Sequence, residues 1–89
     1  MTPETREDRL KRLRMRSWRR GIKEMDLVLG RFSDDHLADL DGDELDLYDA
    51  LLSENDQDML RWITGQAAVP GRFVALFARI SGHARGTGG

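Results

Sequence analysis

Apolar residues recur at spacings of three and four along almost the whole chain, and no segment shows the sustained alternation of a half-buried strand. Turn-forming residues divide this pattern into short segments. The pattern predicts an all-α fold, a compact single-domain bundle of about five short helices. We expect one helical domain over residues 1–84, with disorder allowed in its first few residues, and a flexible tail over residues 85–89.

The first two helices are expected on either side of residue 19. Thr2 and Pro3 are suitable for a helix start, since proline is tolerated in a first turn. The second helix is expected to begin around Arg19, to loosen at Gly30 and to restart as a short turn at residues 33–35. The predicted inward-facing residues of these helices are Leu10, Leu13, Met15, Trp18, Ile22, Met25, Leu29 and Phe32.

The remaining three helices have clearer boundaries. Asp41 and Glu44 have the spacing of a capping box at the start of a third helix. A fourth helix follows Asn55-Asp56-Gln57-Asp58, and Gly65 is placed to end it in a left-handed conformation. A fifth helix is expected to begin near Pro70 and to stop at Gly82. The predicted inward-facing residues are Leu45, Tyr48, Leu51, Leu52, Met59, Leu60, Trp62, Ile63, Phe73, Leu76, Phe77 and Ile80.

Charge is strongly segregated, although the formal net charge is only −2. Residues 1–23 carry nine Lys/Arg against three Asp/Glu, residues 24–58 carry one against thirteen, and residues 59–89 carry four arginines and no acid. Such blocks steer partners electrostatically. The absence of cysteine excludes disulfides, thiolate zinc sites and thiol catalysis. No apolar run approaches the roughly 18 residues that span a bilayer, and no signal-peptide core is present, so we expect a cytoplasmic protein without direct membrane insertion.

Enzymatic chemistry has little support in the sequence. His36 and His83 are the only histidines, and the acids before His36 suit a helix start as well as a metal or acid–base set. The alternating acids at residues 39–43 lack the glycine and the closing glutamate of a calcium loop. We therefore predict no catalytic residues, no bound metal and no cofactor of its own. A small enzyme would need polar groups converging on His36.

The basic N-terminal segment suggests an alternative function, a small nucleic-acid-binding module. Its cations could contact phosphates and Trp18 could stack on a base. Because the chain is acidic overall, and because a basic run often forms a solvated face or complements acidic helices of the same molecule, we expect no nucleic-acid partner. The cations concerned are Arg9, Lys11, Arg12, Arg14, Arg16, Arg19, Arg20 and Lys23.

The segment from Arg19 to Asp26 places Gly21 inside a charged, helix-favouring run. A glycine within a helix costs about 1 kcal/mol relative to alanine. Close approach of another backbone or a bulky partner would account for that cost, since glycine has no Cβ. Arg20 and Glu24 are four residues apart and would share one face of a helix. The pattern therefore predicts a docking patch with charged edges and a bare centre, although a solvated ion pair has the same spacing.

Arg20-Gly21-Ile22-Lys23-Glu24 resembles the RGxxE signature of the SdhE-type succinate dehydrogenase assembly factors. The similarity continues through Asp26-Leu27-Val28-Leu29 and Asp43-Glu44-Leu45. The segment Asn55–Gly65 resembles the D-x-D-L-x-x-W-L-x-G segment of that family, with conservative changes. The resemblance covers roughly residues 9–80, in order and at the expected spacing. RGxxE alone is a weak signal, and its combination with the segment around Trp62 is fairly specific.

The resemblance implies a five-helix protein without catalytic activity, which binds the flavoprotein subunit of succinate dehydrogenase and, in bacteria, that of fumarate reductase. Such factors promote covalent attachment of FAD to a histidine of the flavoprotein, so the FAD belongs to the partner. Carried over by position, Arg20, Gly21 and Glu24 would form the contact site, with Arg19 and Lys23 assisting by steering. Substitution of Gly21 by arginine would then block docking with the fold nearly intact.

Overall fold

A computed structural model describes the backbone of residues 4–87 and the side chains of residues 4–83. This part of the chain contains no strand, and the all-α prediction is confirmed. Two single 3-10 turns, Leu37–Asp39 and Gly71–Phe73, precede the third and fifth helices. The five α-helices are α1 (Arg6–Trp18), α2 (Lys23–His36), α3 (Gly42–Leu52), α4 (Asp56–Thr64) and α5 (Val74–Thr87).

Local capping chemistry fixes several of the helix boundaries. The Asp41 side chain accepts from the Glu44 backbone N–H at 2.8 Å, and the Glu44 carboxylate accepts from the Asp41 N–H at 3.1 Å, which confirms the predicted capping box. Asn55 caps α4, and Gly65 ends it at φ +78°, both as predicted. α1 begins after the N-cap Thr5. The expected start at Thr2-Pro3 lies outside the described residues.

α2 is the central helix, since it packs against α1, α4 and α5. Its buried face carries Met25, Leu29 and Phe32, as the spacing predicts. Leu60, Trp62 and Ile63 are only partly buried, and Trp62 and Ile63 pack against the core. The other fully or nearly fully buried apolar side chains are Leu13, Leu37, Leu40, Leu45, Tyr48, Leu51, Leu52, Met59, Phe73, Leu76, Phe77 and Ile80.

Two buried hydroxyls join α1, α2 and α3 inside this core. Ser17 Oγ lies 2.6 Å from Tyr48 Oη and 2.8 Å from the carbonyl oxygen of Leu13, and Tyr48 Oη lies 3.3 Å from that of Leu29. Burial raises the pKa of Tyr48 to about 12, against the lowering effect of its hydrogen bond with Ser17. The phenol therefore stays neutral and able to donate at physiological pH.

Several boundaries and faces differ from the sequence-based expectations. The inner stripe of α1 includes Ser17, whereas Met15 is 51% exposed, because residues 10, 13 and 17 share a helical face that residue 15 does not. α2 continues through Gly30 and residues 33–35 to His36 without a break. The expected stop at Gly82 is wrong, since α5 runs on to Thr87. Residues 85–87 of the expected tail belong to this helix, and residues 88–89 lie outside the described part.

Gly30 is the glycine at which another group makes a close approach. The indole ring of Trp18 packs directly on it, and a Cβ built on Gly30 would lie 2.3 Å from Trp18 Cδ2. Trp18 Nε1 donates to Asp34 Oδ1 at 3.3 Å, which holds the ring in place. Trp18 of α1 therefore packs against α2 at the rim of the core, and the absence of a side chain at Gly30 makes room for its ring.

We expect Gly30→Ala to lower the free energy of unfolding by about 1–2 kcal/mol, because the clash with Trp18 exceeds the higher helix propensity of alanine. Urea unfolding followed by circular dichroism measures the change. Gly82→Ala is the matched control. Gly82 is a helical, exposed glycine, and a Cβ there meets nothing within 4 Å. It should stabilise the protein by up to about 1 kcal/mol. Stabilisation by both substitutions would contradict the close packing of Trp18 on Gly30.

Candidate docking site

Three of the predicted site residues, Arg19, Arg20 and Gly21, fall on a loop, and Lys23 and Glu24 begin the helix that follows it. We call residues 19–22, between α1 and α2, the motif loop. The expected helix start near Arg19 is wrong, because Gly21 has φ +91° and Ile22 is extended as the N-cap of α2. The Arg20 backbone N–H donates to Asp26 Oδ1 at 2.6 Å, which ties the loop to the first turns of α2. Arg20 and Glu24 therefore do not share a helical face.

The Arg20 side chain turns inward and fastens the motif loop to the turn between α3 and α4. Its Nε donates to Asp56 Oδ1 at 2.7 Å, its Nη2 donates to the carbonyl oxygen of Glu54 at 2.9 Å, and its Nη1 donates to that of Leu52. The side chain is only 10% exposed. We call this set of bonds the Arg20 latch. Its partners lie 32–36 residues away along the chain, and no local spacing reveals them.

Gly21 lies on the exposed side of the same loop. A Cβ built on it would meet nothing within 4 Å, so the space above it is open. The surface above Gly21 is therefore bare, as the sequence predicts. The positive φ at this position favours glycine, and no other part of the described chain packs against it.

Three charged residues near Gly21 in the chain, Arg19, Lys23 and Glu24, are exposed. None of the three makes a side-chain hydrogen bond or ion pair within the part of the chain that the structure describes. We call Arg19, Gly21, Lys23 and Glu24 the docking face. Four of the five predicted residues are therefore exposed close to one another in the chain, whereas the Arg20 side chain is turned inward.

The basic helix α1 is largely neutralised by its own molecule. Arg12 pairs with both Glu4 and Asp49, Arg16 pairs with Asp49, and four arginines of α1 in all bind carboxylates of other elements. Burial raises the pKa of Asp49, but its hydrogen bonds with Arg12 and Arg16 outweigh this effect and lower it overall. The arginine–carboxylate pairs between α1 and the acidic elements α2 and α3 are Arg9–Asp46, Arg12–Asp49, Arg14–Asp34 and Arg16–Asp49.

The two histidines come together at the other end of α2, which the sequence did not reveal. The ring centroids of His36 and His83 lie 4.7 Å apart, edge to face. His83 Nε2 lies 2.9 Å from Asp35 Oδ2. Together with Phe32 and Arg79 the histidines line an open depression of about 270 Å³. Polar groups do therefore converge on His36, in a shallow depression at the junction of α2 and α5.

Two kinds of site are absent from the described part of the chain. Within residues 4–83 no group of three or more histidine or acidic side chains is placed to hold a metal ion. No helix among the described residues is both long enough and apolar enough to cross a membrane.

The fold defines a small helical protein with an exposed loop between its first two helices. Comparison with known proteins gives the family: the model for the flavinator of succinate dehydrogenase matches residues 11–84, and the chain belongs to this family.

Curated relatives support the same assignment. The chain is 49% identical over 63 residues to the mitochondrial succinate dehydrogenase assembly factor 2 of Meyerozyma guilliermondii, an alignment covering 71% of this chain and 47% of the relative. It is 37% identical over 84 residues to the protein of the same name from Schizosaccharomyces pombe, covering 92% of this chain and 60% of the relative. The chain thus spans about half the length of the curated relatives it matches.

These relatives bear on four of the sequence-based predictions. The similarity to SdhE-type factors is confirmed. The relatives are named as assembly factors, in agreement with the prediction that the chain is not an enzyme, and they give no support to the nucleic-acid alternative. The expected cytoplasmic location is wrong on this comparison, because the relatives are named as mitochondrial proteins.

Proposed function

We propose that this chain binds the flavoprotein subunit of succinate dehydrogenase through its docking face and promotes covalent attachment of FAD to that subunit. The observation that carries the proposal is the exposed, unobstructed Gly21 on a loop that the Arg20 latch holds in place. A loop that is already held in place, with unpaired charges at its edge, suits contact with a protein surface, because binding then costs little conformational entropy.

Each residue of the docking face has a separate role in this proposal. Gly21 lets the partner backbone approach closely, since no side chain intervenes. The Glu24 carboxylate accepts charge-assisted hydrogen bonds from the partner. Arg19 and Lys23 steer the encounter. Arg20, which the sequence suggested as a direct contact, contributes by fixing the conformation of the motif loop.

The chain has no cofactor of its own in this scheme, and the FAD belongs to the flavoprotein. The factor acts by preferring one conformation of its partner, so its effect is limited by its differential affinity for that conformation. The flavoprotein of fumarate reductase is a second proposed partner, on the basis of the family resemblance alone.

Denaturing-gel flavin fluorescence of the flavoprotein, in the presence of FAD and a dicarboxylate, tests the proposal. We expect faster covalent labelling with this chain than without it. Glu24→Ala should weaken the effect about tenfold at limiting factor concentration, because a charged hydrogen bond worth about 1.5 kcal/mol is lost.

Glu7→Ala is the matched control for Glu24→Ala. Glu7 is also an exposed acid in the first turn of a helix, α1, but it lies away from the motif loop. It should leave labelling unchanged. Equal labelling with and without the native chain would refute the proposed function. Equal losses in the two variants would refute only the role of Glu24.

A further inference from the structure

A groove of about 470 Å³ runs along the solvent side of α1 and ends at the motif loop. It is open along its length and is dominated by the stems and cationic heads of long side chains. The residues that line it are Asp8, Lys11, Arg12, Met15, Arg16, Arg19 and Arg20. Except for Arg19 and Arg20, none of them belongs to the predicted contact site.

Two cations and one apolar side chain in this groove are available to a partner. Lys11 and Arg19 form no ion pair within residues 4–83. Met15 lies four residues from each of them and is 51% exposed. At 1.5 Å per residue, the Cα positions of Lys11 and Arg19 are separated by about 12 Å along the helix axis, with the methionine midway. The groove therefore presents a positive–apolar–positive pattern along α1.

The wall of the groove is already ordered. Arg12 and Arg16 both bind the Asp49 carboxylate of α3, and Arg12 also forms two hydrogen bonds with Glu4. These bonds hold two long side chains that would otherwise have to be immobilised on binding. Asp8 also lines the groove with its carboxylate. A continuous polyanion would meet this acid, whereas a partner with two separate charges would not.

We propose that the α1 groove binds an acidic segment of the flavoprotein, in which two carboxylates about 12 Å apart flank one apolar side chain. This inference rests on the proposed function and extends the contact surface beyond the docking face. Arg19 and Arg20 line the groove and immediately precede Gly21 in the chain, so one partner can cover both. Lys11 and Arg19 bind the carboxylates, and Met15 packs against the apolar side chain.

Titration of the purified succinate dehydrogenase flavoprotein with this chain, at low and high salt, tests the groove. Lys11→Glu should weaken binding about tenfold at low salt, and much less near 1 M salt, where the screening length is about 3 Å. Met15→Gln should weaken binding about fivefold at both salt concentrations, because its contribution is apolar. Arg61→Glu makes the same charge change on α4 and should alter affinity by less than about twofold.

The outcomes separate this inference from the proposed function. If Gly21→Arg abolishes binding but Lys11→Glu and Met15→Gln leave the affinity unchanged, the groove is not a binding site. The proposal for the docking face would then still hold. Absence of binding by the native chain would overturn both. A single-stranded oligonucleotide that binds the native chain more tightly than the flavoprotein does, and that loses affinity in Lys11→Glu, would overturn the assignment to an acidic protein segment.

Discussion

Gly21→Arg is expected to abolish the acceleration of FAD attachment, whereas Gly21→Ala should retain much of it. Gly21 is exposed, and the space above its Cα is open to a partner. An arginine there would project into the volume that the partner backbone has to enter, while an alanine adds a single methyl group. The two variants differ in side-chain length and share the same backbone requirement at φ +91°.

The shared backbone requirement makes alanine the proper control. A side chain at this φ strains the loop by about 1–2 kcal/mol, so both variants should lose a similar amount of stability. This corrects the expectation of a nearly intact fold. Thermal unfolding and covalent flavin labelling of both variants provide the measurements. If alanine and arginine abolish labelling equally, the loop conformation and not steric exclusion is responsible. Normal labelling with Gly21→Arg would remove Gly21 from the contact surface.

Arg20→Ala is expected to destabilise the fold by about 3 kcal/mol, a large share of the stability of a small domain. The substitution leaves the Asp56 carboxylate and the carbonyl groups of Leu52 and Glu54 without their donor. Arg20→Lys keeps the charge, but an ammonium group lacks the planar fork that reaches three acceptors, so it should restore only a minor part of the loss.

Arg61→Ala is a control of the same chemistry in an exposed setting. Arg61 pairs with Asp58 at 3.2 Å, and its side chain is 57% exposed. Its removal should cost less than about 0.5 kcal/mol. Urea unfolding of the variants compares them directly, and equal effects of Arg20→Ala and Arg61→Ala would disprove the latch. A loss of flavin labelling in Arg20→Ala that disappears on cooling, where the fold is retained, would show that Arg20 acts through stability and not through contact.

Sequence reasoning succeeded where the determining interactions are local. The capping box of Asp41 and Glu44, the Asn55 cap and the left-handed Gly65 each depend on residues within one helical turn. The buried face of α2 followed from the three- and four-residue spacing of its apolar side chains.

The errors concern contacts between distant parts of the chain. The sequence suggested only a loosened helix at Gly30, because the packing of Trp18 on this glycine is a tertiary feature. Arg20 was read as an exposed contact, because its acceptors at residues 52–56 have no sequence relation to it. Met15 was predicted on the inner face of α1, but Ser17 is the buried residue, and it forms a hydrogen bond with Tyr48 of α3. Propensity and periodicity contain no information on such pairings.

The Arg20 latch binds mainly to main-chain atoms, and this determines which changes in the chain the motif loop will tolerate. Two of its three acceptors are carbonyl oxygens, which every amino acid supplies. The side chains of residues 52 and 54 can therefore vary during evolution or redesign without loosening the loop, as far as the core permits. A deletion or insertion in the same turn would shift both carbonyl groups at once. The number of residues between α3 and α4, more than their identity, thus determines whether this distant turn can hold the motif loop in place.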